Sequence, residues 1–208
     1  MVDTIARILS YPFLRWRVAS AEGLENIPRK GPVLLVANHI GIHDPLLLIF
    51  TIAWGTQGRA AHAIAKWKIF QTAFAQRFMH TIPLYEDRAR SMQYSADLLA
   101  RGEVVLIYPE GRVNTSDTIG KVKSGAARLA LQCGVPVIPI GIRRTSPPPQ
   151  TSADHRKDLL FGRMSCTVGK PIDLSAWQGR TVDAALLAQV NRAIMTPVAT
   201  LAGKIYMV

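Results

Sequence analysis

Short apolar runs that are typical of buried strands alternate along the chain with stretches of helical spacing. Val33–Ala37 (VLLVA) and Val104–Tyr108 (VVLIY) are continuous apolar runs, as expected of strands covered on both faces. Ser91–Arg101 has helical spacing and closes at Gly102, a residue type common at helix ends. This order predicts an α/β fold with a mostly parallel or mixed central sheet flanked by helices. The other predicted strands are Ala60–Ala65, Thr81–Tyr85, Val135–Ile142 and Met164–Val168; the other predicted helices are Pro45–Trp54, Trp67–Met79, Ser124–Gln132 and Thr181–Met195, the last with Thr181 as its N-cap.

The chain is both basic and apolar. Its 208 residues include 25 Lys or Arg and 14 Asp or Glu, giving a formal net charge of +11, and 49% are hydrophobic. The apolar share indicates a folded core rather than a disordered basic tail, and two cysteines exclude a disulfide scaffold. The positive charge favours a phosphate-bearing partner: nucleic acid, an anionic membrane surface or a phosphorylated small molecule. Pro45–Trp54 is shorter than the roughly 20 residues that cross a bilayer, and no signal peptide is apparent. We therefore expect a cytoplasmic protein that associates peripherally with the inner face of the cell membrane.

Residues 1–20 form a distinct segment in which aromatic and aliphatic residues alternate with Arg7, Arg15 and Arg17. That mixture favours a helical segment lying at a membrane interface. The alternative is a helix packed on the rest of the domain, with arginines that extend to solvent. Pro12 argues against one straight helix over the whole segment.

A histidine and an aspartate follow the first predicted strand, in the segment Asn38–Pro45 (NHIGIHDP). Because five positions separate His39 from Asp44, their side chains can meet only if the segment forms a turn. Gly41 permits that turn, and Pro45 suits the first turn of the following helix, which makes Asp44 the expected N-cap. An imidazole supported by a carboxylate can take a proton from a hydroxyl near neutral pH. His39 and Asp44 are therefore the predicted catalytic residues.

Other chemistries lack their usual motifs. The sequence has no G-x-S-x-G, Walker A or G-x-G-x-x-G pattern, and neither H-E-x-x-H nor C-x-x-C. A metal site built from His39, His43 and Asp44 lacks a clear further ligand, and Asp44 acting only as a helix cap is the structural alternative. Direct attack by a substrate hydroxyl is then the simpler chemistry, and we predict neither a metal nor a bound cofactor.

A second polar turn, Pro109-Glu110-Gly111-Arg112, follows the predicted strand Val104–Tyr108. Gly111 permits a tight turn or the close approach of a ligand. Arg112 can bind a phosphate, and Glu110 can position it or accept a hydrogen bond from a hydroxyl. A surface Glu–Arg pair in a turn is the alternative. Because ligands gather at the carboxyl ends of parallel strands, we expect both turns to line the same end of the sheet.

These blocks resemble the glycerolipid acyltransferase family, whose best-known members are 1-acylglycerol-3-phosphate acyltransferases. That family has an H-x-x-x-x-D block, an arginine-bearing second block, a P-E-G-x-R block and a V-P-[VI]-x-P block, which Val135–Pro139 matches here. The resemblance covers about Glu22 to Asp173 and implies an α/β acyltransferase domain, here residues 21–208. It implies transfer of a fatty acyl group from acyl-CoA or acyl carrier protein to a glycerophosphate hydroxyl. In that reaction His39 is the general base and Asp44 its orienting carboxylate.

The resemblance also implies an acceptor-binding block, and here the sequence departs from the family twice. Arg112 follows Gly111 directly, whereas the family often has Thr or Gly between them. In the second block the phosphate-binding arginine would fall near Glu86 or Arg88; Glu86 would repel a phosphate, so Arg88 is the predicted substitute. The predicted substrate-binding residues are Glu110, Gly111, Arg112, Arg88, Lys66 and Lys123.

Three functions follow from these patterns. The leading one is a lipid-metabolic O-acyltransferase whose partners are an acyl thioester, a lysophospholipid and an anionic membrane surface, without nucleic acid. The second keeps the chemistry and changes the acceptor to a sugar, polyol or amino-lipid, because of the departure at Glu86. The third is a non-catalytic basic module that binds lipid or nucleic acid; an aromatic share of only 7% and the lack of a nucleic-acid motif speak against it. The sequence leaves the oligomeric state open.

Overall fold

A computed structural model describes residues 4–65, 81–83, 87–146, 151 and 162–207. The predicted helix Trp67–Met79 and the candidate Lys66 lie outside the described residues. The described strands are β1 (Val18–Glu22), β2 (Val33–Ala37), β3 (Ala61–Ala65), β4 (Thr81–Pro83), β5 (Val104–Ile107), β6 (Thr118–Ile119), β7 (Val137–Arg144), β8 (Met164–Val168) and β9 (Ile205–Tyr206). The described helices are α1 (Thr4–Arg17), α2 (Asp44–Gly55), α3 (Arg88–Ala100), α4 (Gly125–Cys133) and α5 (Ala184–Ala202).

Seven strands form the central sheet in the order β1-β8-β7-β2-β5-β3-β4. From β7 to β4 all neighbours are parallel, whereas β8 runs antiparallel to β7 and β1 is parallel to β8. Strands β6 and β9 pair separately, also in parallel. The predicted α/β architecture with a mostly parallel sheet is confirmed.

Strand β2 lies at the centre of a three-layer structure. Its alternate residues Val33, Leu35 and Ala37 face the α1–α2 side, while Leu34 and Val36 face the side covered by α3, α4 and α5. All five are fully buried, which explains why this strand is a continuous apolar run rather than an alternating one. The polar residues that follow β2 must therefore lie at the edge of the sheet.

Helix α5 differs at both ends from the predicted Thr181–Met195. Asp183 is its N-cap, and the Asp183 carboxylate accepts a hydrogen bond of 2.7 Å from the Leu186 N–H. The prediction of Thr181 as N-cap is therefore wrong, because the aspartate two residues later satisfies that N–H. The helix also continues through Pro197 to Gly203, which has a left-handed conformation with φ of 64°. Its last turns pack in the core and so hold the helical path despite the proline.

Helix α1 packs on α2 and continues through Pro12 as one helical element, Thr4–Arg17. The Tyr11 and Trp54 rings lie 4.5 Å apart between centroids. Arg17 is buried, donates a hydrogen bond to the Gly162 carbonyl and lies over the Phe13 ring. Its charge is thus held inside the protein rather than at an interface.

No helix within the described ranges is long and apolar enough to cross a membrane.

Candidate active site

The carboxyl ends of β2 and β5 lie side by side at one edge of the sheet. These strands are parallel neighbours, with Val36 opposite Ile107, so the turns that follow them emerge together. Asn38, the first residue after β2, is fully buried. Its amide pairs with the backbone of Ile142 in β7: Nδ2 donates to the carbonyl at 2.9 Å, and Oδ1 accepts from the N–H at 2.7 Å. This pairing fixes the point where the chain leaves the sheet.

His39 and Asp44 meet across the turn that follows. His39 Nδ1 and Asp44 Oδ2 are 3.1 Å apart. The same carboxylate oxygen accepts hydrogen bonds from the Ile40 N–H at 2.6 Å and the Gly41 N–H at 2.8 Å. Asp44 is the first residue of α2 and His43 occupies the cap position, so the prediction of Asp44 as N-cap is wrong. Its carboxylate binds the preceding turn instead, which brings it onto the imidazole.

Glu110 joins the two turns. Its side chain is only 8% exposed. Oε1 accepts a hydrogen bond of 3.1 Å from the His39 N–H, and Oε2 accepts one of 2.6 Å from Asn114 Nδ2. The Asn114 N–H in turn donates to the His39 carbonyl at 2.7 Å. Both carboxylate oxygens therefore have protein donors, and the observed contacts of Glu110 hold the backbone of the candidate base.

Gly111 makes the tight turn that its sequence position predicts. Its φ is 64°, and its N–H donates to the Tyr108 carbonyl at 3.0 Å. The side chain of Lys123 lies across this glycine, so that an added Cβ would meet its ammonium group. Arg112 and Lys123 are both exposed. The turn thus presents two cations at its solvent side, where an anionic ligand could bind them.

The aromatic ring of Tyr108 lies against the His39 imidazole. The Tyr108 and His39 ring centroids are 4.5 Å apart, with 32° between the ring planes. Burial raises the pKa of the Tyr108 phenol well above its ordinary value, and the nearby Asp44 and Cys166 add to that shift. The phenol therefore stays neutral. Its hydroxyl has no hydrogen-bond partner within the described part of the chain.

The remaining candidates lie farther from this pair or elsewhere. Arg88 is exposed at the start of α3, after the edge strand β4. Three strand spacings separate β4 from β2, which is about 14 Å across the sheet. Across residues 4–65, 81–83, 87–146, 151 and 162–207, no cluster of three or more His, Cys, Asp or Glu could hold a metal ion.

Sequence reasoning missed several residues that the structure brings to the site. Asn38, Asn114 and Lys204 were not predicted to contribute. The signal for Asn38 is a polar residue at the end of a fully apolar strand, which must find partners if it is buried. Lys204 gave no such signal, because it is 90 residues from the loop that it contacts.

Comparison with known proteins assigns the chain to a family. A sequence profile described as Acyltransferase matches residues 19–143, which include His39, Asp44 and the Glu110–Arg112 turn. The chain belongs to the acyltransferase family.

Relatives found by sequence agree with that assignment. The chain is 30% identical over 175 residues to the Arabidopsis thaliana protein 1-acyl-sn-glycerol-3-phosphate acyltransferase LPAT1, chloroplastic, which covers 80% of this chain and 46% of the relative. It is 27% identical over 131 residues to the 1-acyl-sn-glycerol-3-phosphate acyltransferase of Borreliella burgdorferi, covering 60% of this chain and 50% of the relative. The chain thus spans about half the length of these curated relatives.

The crystal structure of the 1-acyl-sn-glycerophosphate acyltransferase PlsC from Thermotoga maritima has the same fold. It superposes with a TM-score of 0.64 at 20% identity, covering 94% of this chain and 76% of that one. The agreement extends over nearly all of the chain, so the predicted acyltransferase fold is confirmed.

Proposed function

We propose that the chain is an O-acyltransferase that moves a fatty acyl group from a thioester to the hydroxyl of a lysophospholipid such as 1-acylglycerol-3-phosphate. The observation that carries the proposal is the His39–Asp44 contact of 3.1 Å at the carboxyl edge of the sheet. The names of the relatives support the same activity. The donor is acyl-CoA or acyl carrier protein, and the chemistry needs no metal or bound cofactor.

The proposed reaction is a single displacement. Asp44 holds Nδ1 of His39, which leaves Nε2 to accept the proton of the acceptor hydroxyl. As that proton moves to Nε2, the hydroxyl oxygen forms a bond to the thioester carbonyl carbon. The carbon–sulfur bond then breaks and the electron pair leaves with sulfur. A thiol has a pKa near 8.5, so the thiolate is a good leaving group and takes the proton back from the imidazolium.

The exposed cations beside Gly111 suit the phosphate of the acceptor. Arg112 can bind a phosphate through two parallel hydrogen bonds, and Lys123 adds a point charge nearby. Arg88 and Lys66 are proposed as further phosphate contacts. Glu110 is assigned to the support of His39, because both of its carboxylate oxygens already accept hydrogen bonds from the protein.

We also propose that the protein binds peripherally at the inner face of the cell membrane. Tyr11, Phe13, Trp16 and Trp54 are between 37% and 49% exposed and lie on α1 and the end of α2. Aromatic side chains with basic neighbours are typical of interfacial segments. Sedimentation with vesicles of anionic or zwitterionic lipid tests this. Binding that needs anionic lipid and is weakened by Trp16→Ser supports it, and absence of binding contradicts it.

The activity is tested by mass spectrometry of products from the purified full chain. Acyl-CoA and acyl carrier protein are each paired with 1-acylglycerol-3-phosphate, its dephosphorylated form, a sugar, a polyol and an amino-lipid. Acyl transfer that requires the phosphate supports the proposal. Equal transfer to acceptors without phosphate would instead support the chemistry with a different acceptor, and no transfer to any of them would contradict an acyltransferase.

A charge variant tests the phosphate contacts. Arg112→Gln should raise the KM for the phosphorylated acceptor and leave the KM for the donor unchanged. Arg29→Gln is the matched control, because Arg29 is also exposed but precedes β2 at the opposite edge of the sheet. An unchanged acceptor KM in Arg112→Gln would remove Arg112 from the phosphate site.

A further inference from the structure

Asn114 links the Glu110 turn to the His39 turn by hydrogen bonds. Its Nδ2 donates to Glu110 Oε2 at 2.6 Å and to the Thr118 carbonyl at 2.8 Å. Its Oδ1 accepts from the N–H and the hydroxyl of Ser116. A backbone N–H can only donate and a carbonyl can only accept, so these partners fix the orientation of the amide. The donor side of Asn114 therefore points at the carboxylate that holds the His39 N–H.

Lys204 secures the same loop from the other end of the chain. It follows α5 directly, and its ammonium donates to the carbonyls of Asn114 at 2.9 Å and Ser116 at 2.6 Å. Next to it, β9 pairs with β6, and the Ile205 N–H donates to the Asp117 carbonyl at 3.0 Å. Partial burial lowers the pKa of the Lys204 ammonium, while the carboxylates of Glu110, Asp117 and Asp44 act in the opposite direction. Lys204 and β9 thus hold the loop that carries Asn114 in place.

We infer that Asn114 is a positioning residue for His39 and that Lys204 acts as a latch. The latch consists of the two hydrogen bonds by which Lys204 holds the Asn114 loop beside His39. Asn114 acts in two ways: its side chain aligns Glu110 for the His39 N–H, and its own N–H holds the His39 carbonyl. Both the N–H and the carbonyl of His39 are therefore held by hydrogen bonds. This inference rests on the proposed function of His39, and neither residue touches the reacting atoms.

The Asn114→Asp variant tests whether Asn114 positions His39 or only stabilises its own loop. Aspartate keeps the oxygen that accepts from Ser116, but it loses the donor to the Thr118 carbonyl as well as the donor to Glu110. It replaces the amide donor by a carboxylate oxygen facing Glu110, where two like charges repel each other. Ser116→Ala is the matched control, since it removes hydroxyl hydrogen bonds of the same loop but none to Glu110.

The expected result is a split between kcat and KM. A displacement of His39 by 1 Å can cost about 10²-fold in rate, so Asn114→Asp should lower kcat on that order while the KM of each substrate stays unchanged. Ser116→Ala should keep the wild-type kcat. Lys204→Met should also lower kcat at constant KM, and Lys204→Arg, which can still donate to the two carbonyls, should restore most of it.

Several outcomes would overturn the inference. Wild-type kcat in folded Asn114→Asp would do so, and so would a change confined to KM. If Asn114→Asp does not fold, Lys204→Met decides: a wild-type kcat there, or an equal loss in Lys204→Arg, refutes the latch. His39→Ala is measured alongside. If His39→Ala keeps full activity, the proposed mechanism itself fails; if only the Asn114 and Lys204 variants keep it, the mechanism stands and the latch falls.

Discussion

Replacing Glu110 by glutamine should disturb His39 with almost no change in side-chain shape. In the native site both carboxylate oxygens accept hydrogen bonds: Oε1 from the His39 N–H and Oε2 from Asn114 Nδ2. A glutamine has one oxygen and one NH₂ group, so whichever way it is turned, one native donor faces another donor. Rotating the Asn114 amide does not help, because its NH₂ group would then face the Ser116 N–H.

The structure sets the size of the effect. Glu110 is nearly buried, and hydrogen bonds to charged groups contribute about 1.5–3 kcal/mol each. One such bond is lost and a buried donor is left unpaired, so we expect Glu110→Gln to lower the free energy of unfolding by about 2–3 kcal/mol. If His39 moves by 1 Å as a result, the rate falls by about 10²-fold.

Steady-state kinetics with both substrates varied, together with urea unfolding, provide the assay. The account predicts a lower kcat with an unchanged KM for the acceptor, because Glu110 supports His39 rather than the substrate. Glu25→Gln, at an exposed position, is the matched control and should change neither quantity. A rise in the acceptor KM with kcat intact would refute this reasoning and return Glu110 to the acceptor site.

Three further predictions concern neighbouring residues. Gly111→Ala puts a Cβ at a φ of 64°, a backbone conformation that costs an L-residue about 1–2 kcal/mol, and urea unfolding should show a loss of that size. The new Cβ also displaces the side chain of Lys123, so the acceptor KM should rise; no change in either quantity would contradict the prediction. Tyr108→Phe removes a hydroxyl that has no hydrogen-bond partner among the described residues and keeps the ring beside His39, so Tm should stay or rise and kcat should not change. A clearly lower Tm would contradict this prediction. Burial raises the pKa of the Cys166 thiol to about 12, with the Glu22 carboxylate adding to the shift, so the unfolded chain releases this proton first as the pH rises. Stability should therefore fall by about 1.4 kcal/mol per pH unit between the unfolded and folded pKa values, and Cys166→Ala should remove that slope in urea unfolding at about pH 8 and pH 10; an unchanged slope would contradict it.

The elements that the sequence predicts well are those whose patterns are local. Strand β2 and strand β8 have the predicted bounds because each has a local strand pattern. All five residues of β2 are apolar, and the residues of β8 alternate between buried apolar and partly buried polar. Strand β1 (VASAE) was missed because only Val18 is buried, and its pairing with β8 spans most of the chain. The predicted end of α5, Met195, lies seven residues before the observed end at Ala202. The intervening Pro197 ordinarily breaks a helix, and only the core packing of the last turns shows why it does not.

The candidate site shows the same difference between contacts that a local pattern predicts and contacts that it does not. The His39–Asp44 contact follows from one strand end, one glycine and a five-residue spacing, all within one stretch of sequence. The position of that turn and the Glu110 turn at the same end of the sheet was expected, because both follow predicted parallel strands, and it is confirmed. Their direct contact depends on β2 and β5 being neighbours, which no local pattern predicts. The contacts of Asn114 and Lys204 depend on where the last residues of the chain return to the sheet edge, and no local pattern encodes that.

The central claim is that His39 is the base of an acyl transfer. The most direct measurement is the rate of thiol release from the acyl thioester in the presence of 1-acylglycerol-3-phosphate, compared between wild type and His39→Ala of equal Tm. Removal of a general base costs about 10²–10⁴-fold, and the account predicts a loss of that size. His62→Gln, at a histidine near Glu103 and away from the His39–Asp44 turn, should keep the wild-type rate. Acceptor-dependent thiol release at an undiminished rate in His39→Ala would contradict the account.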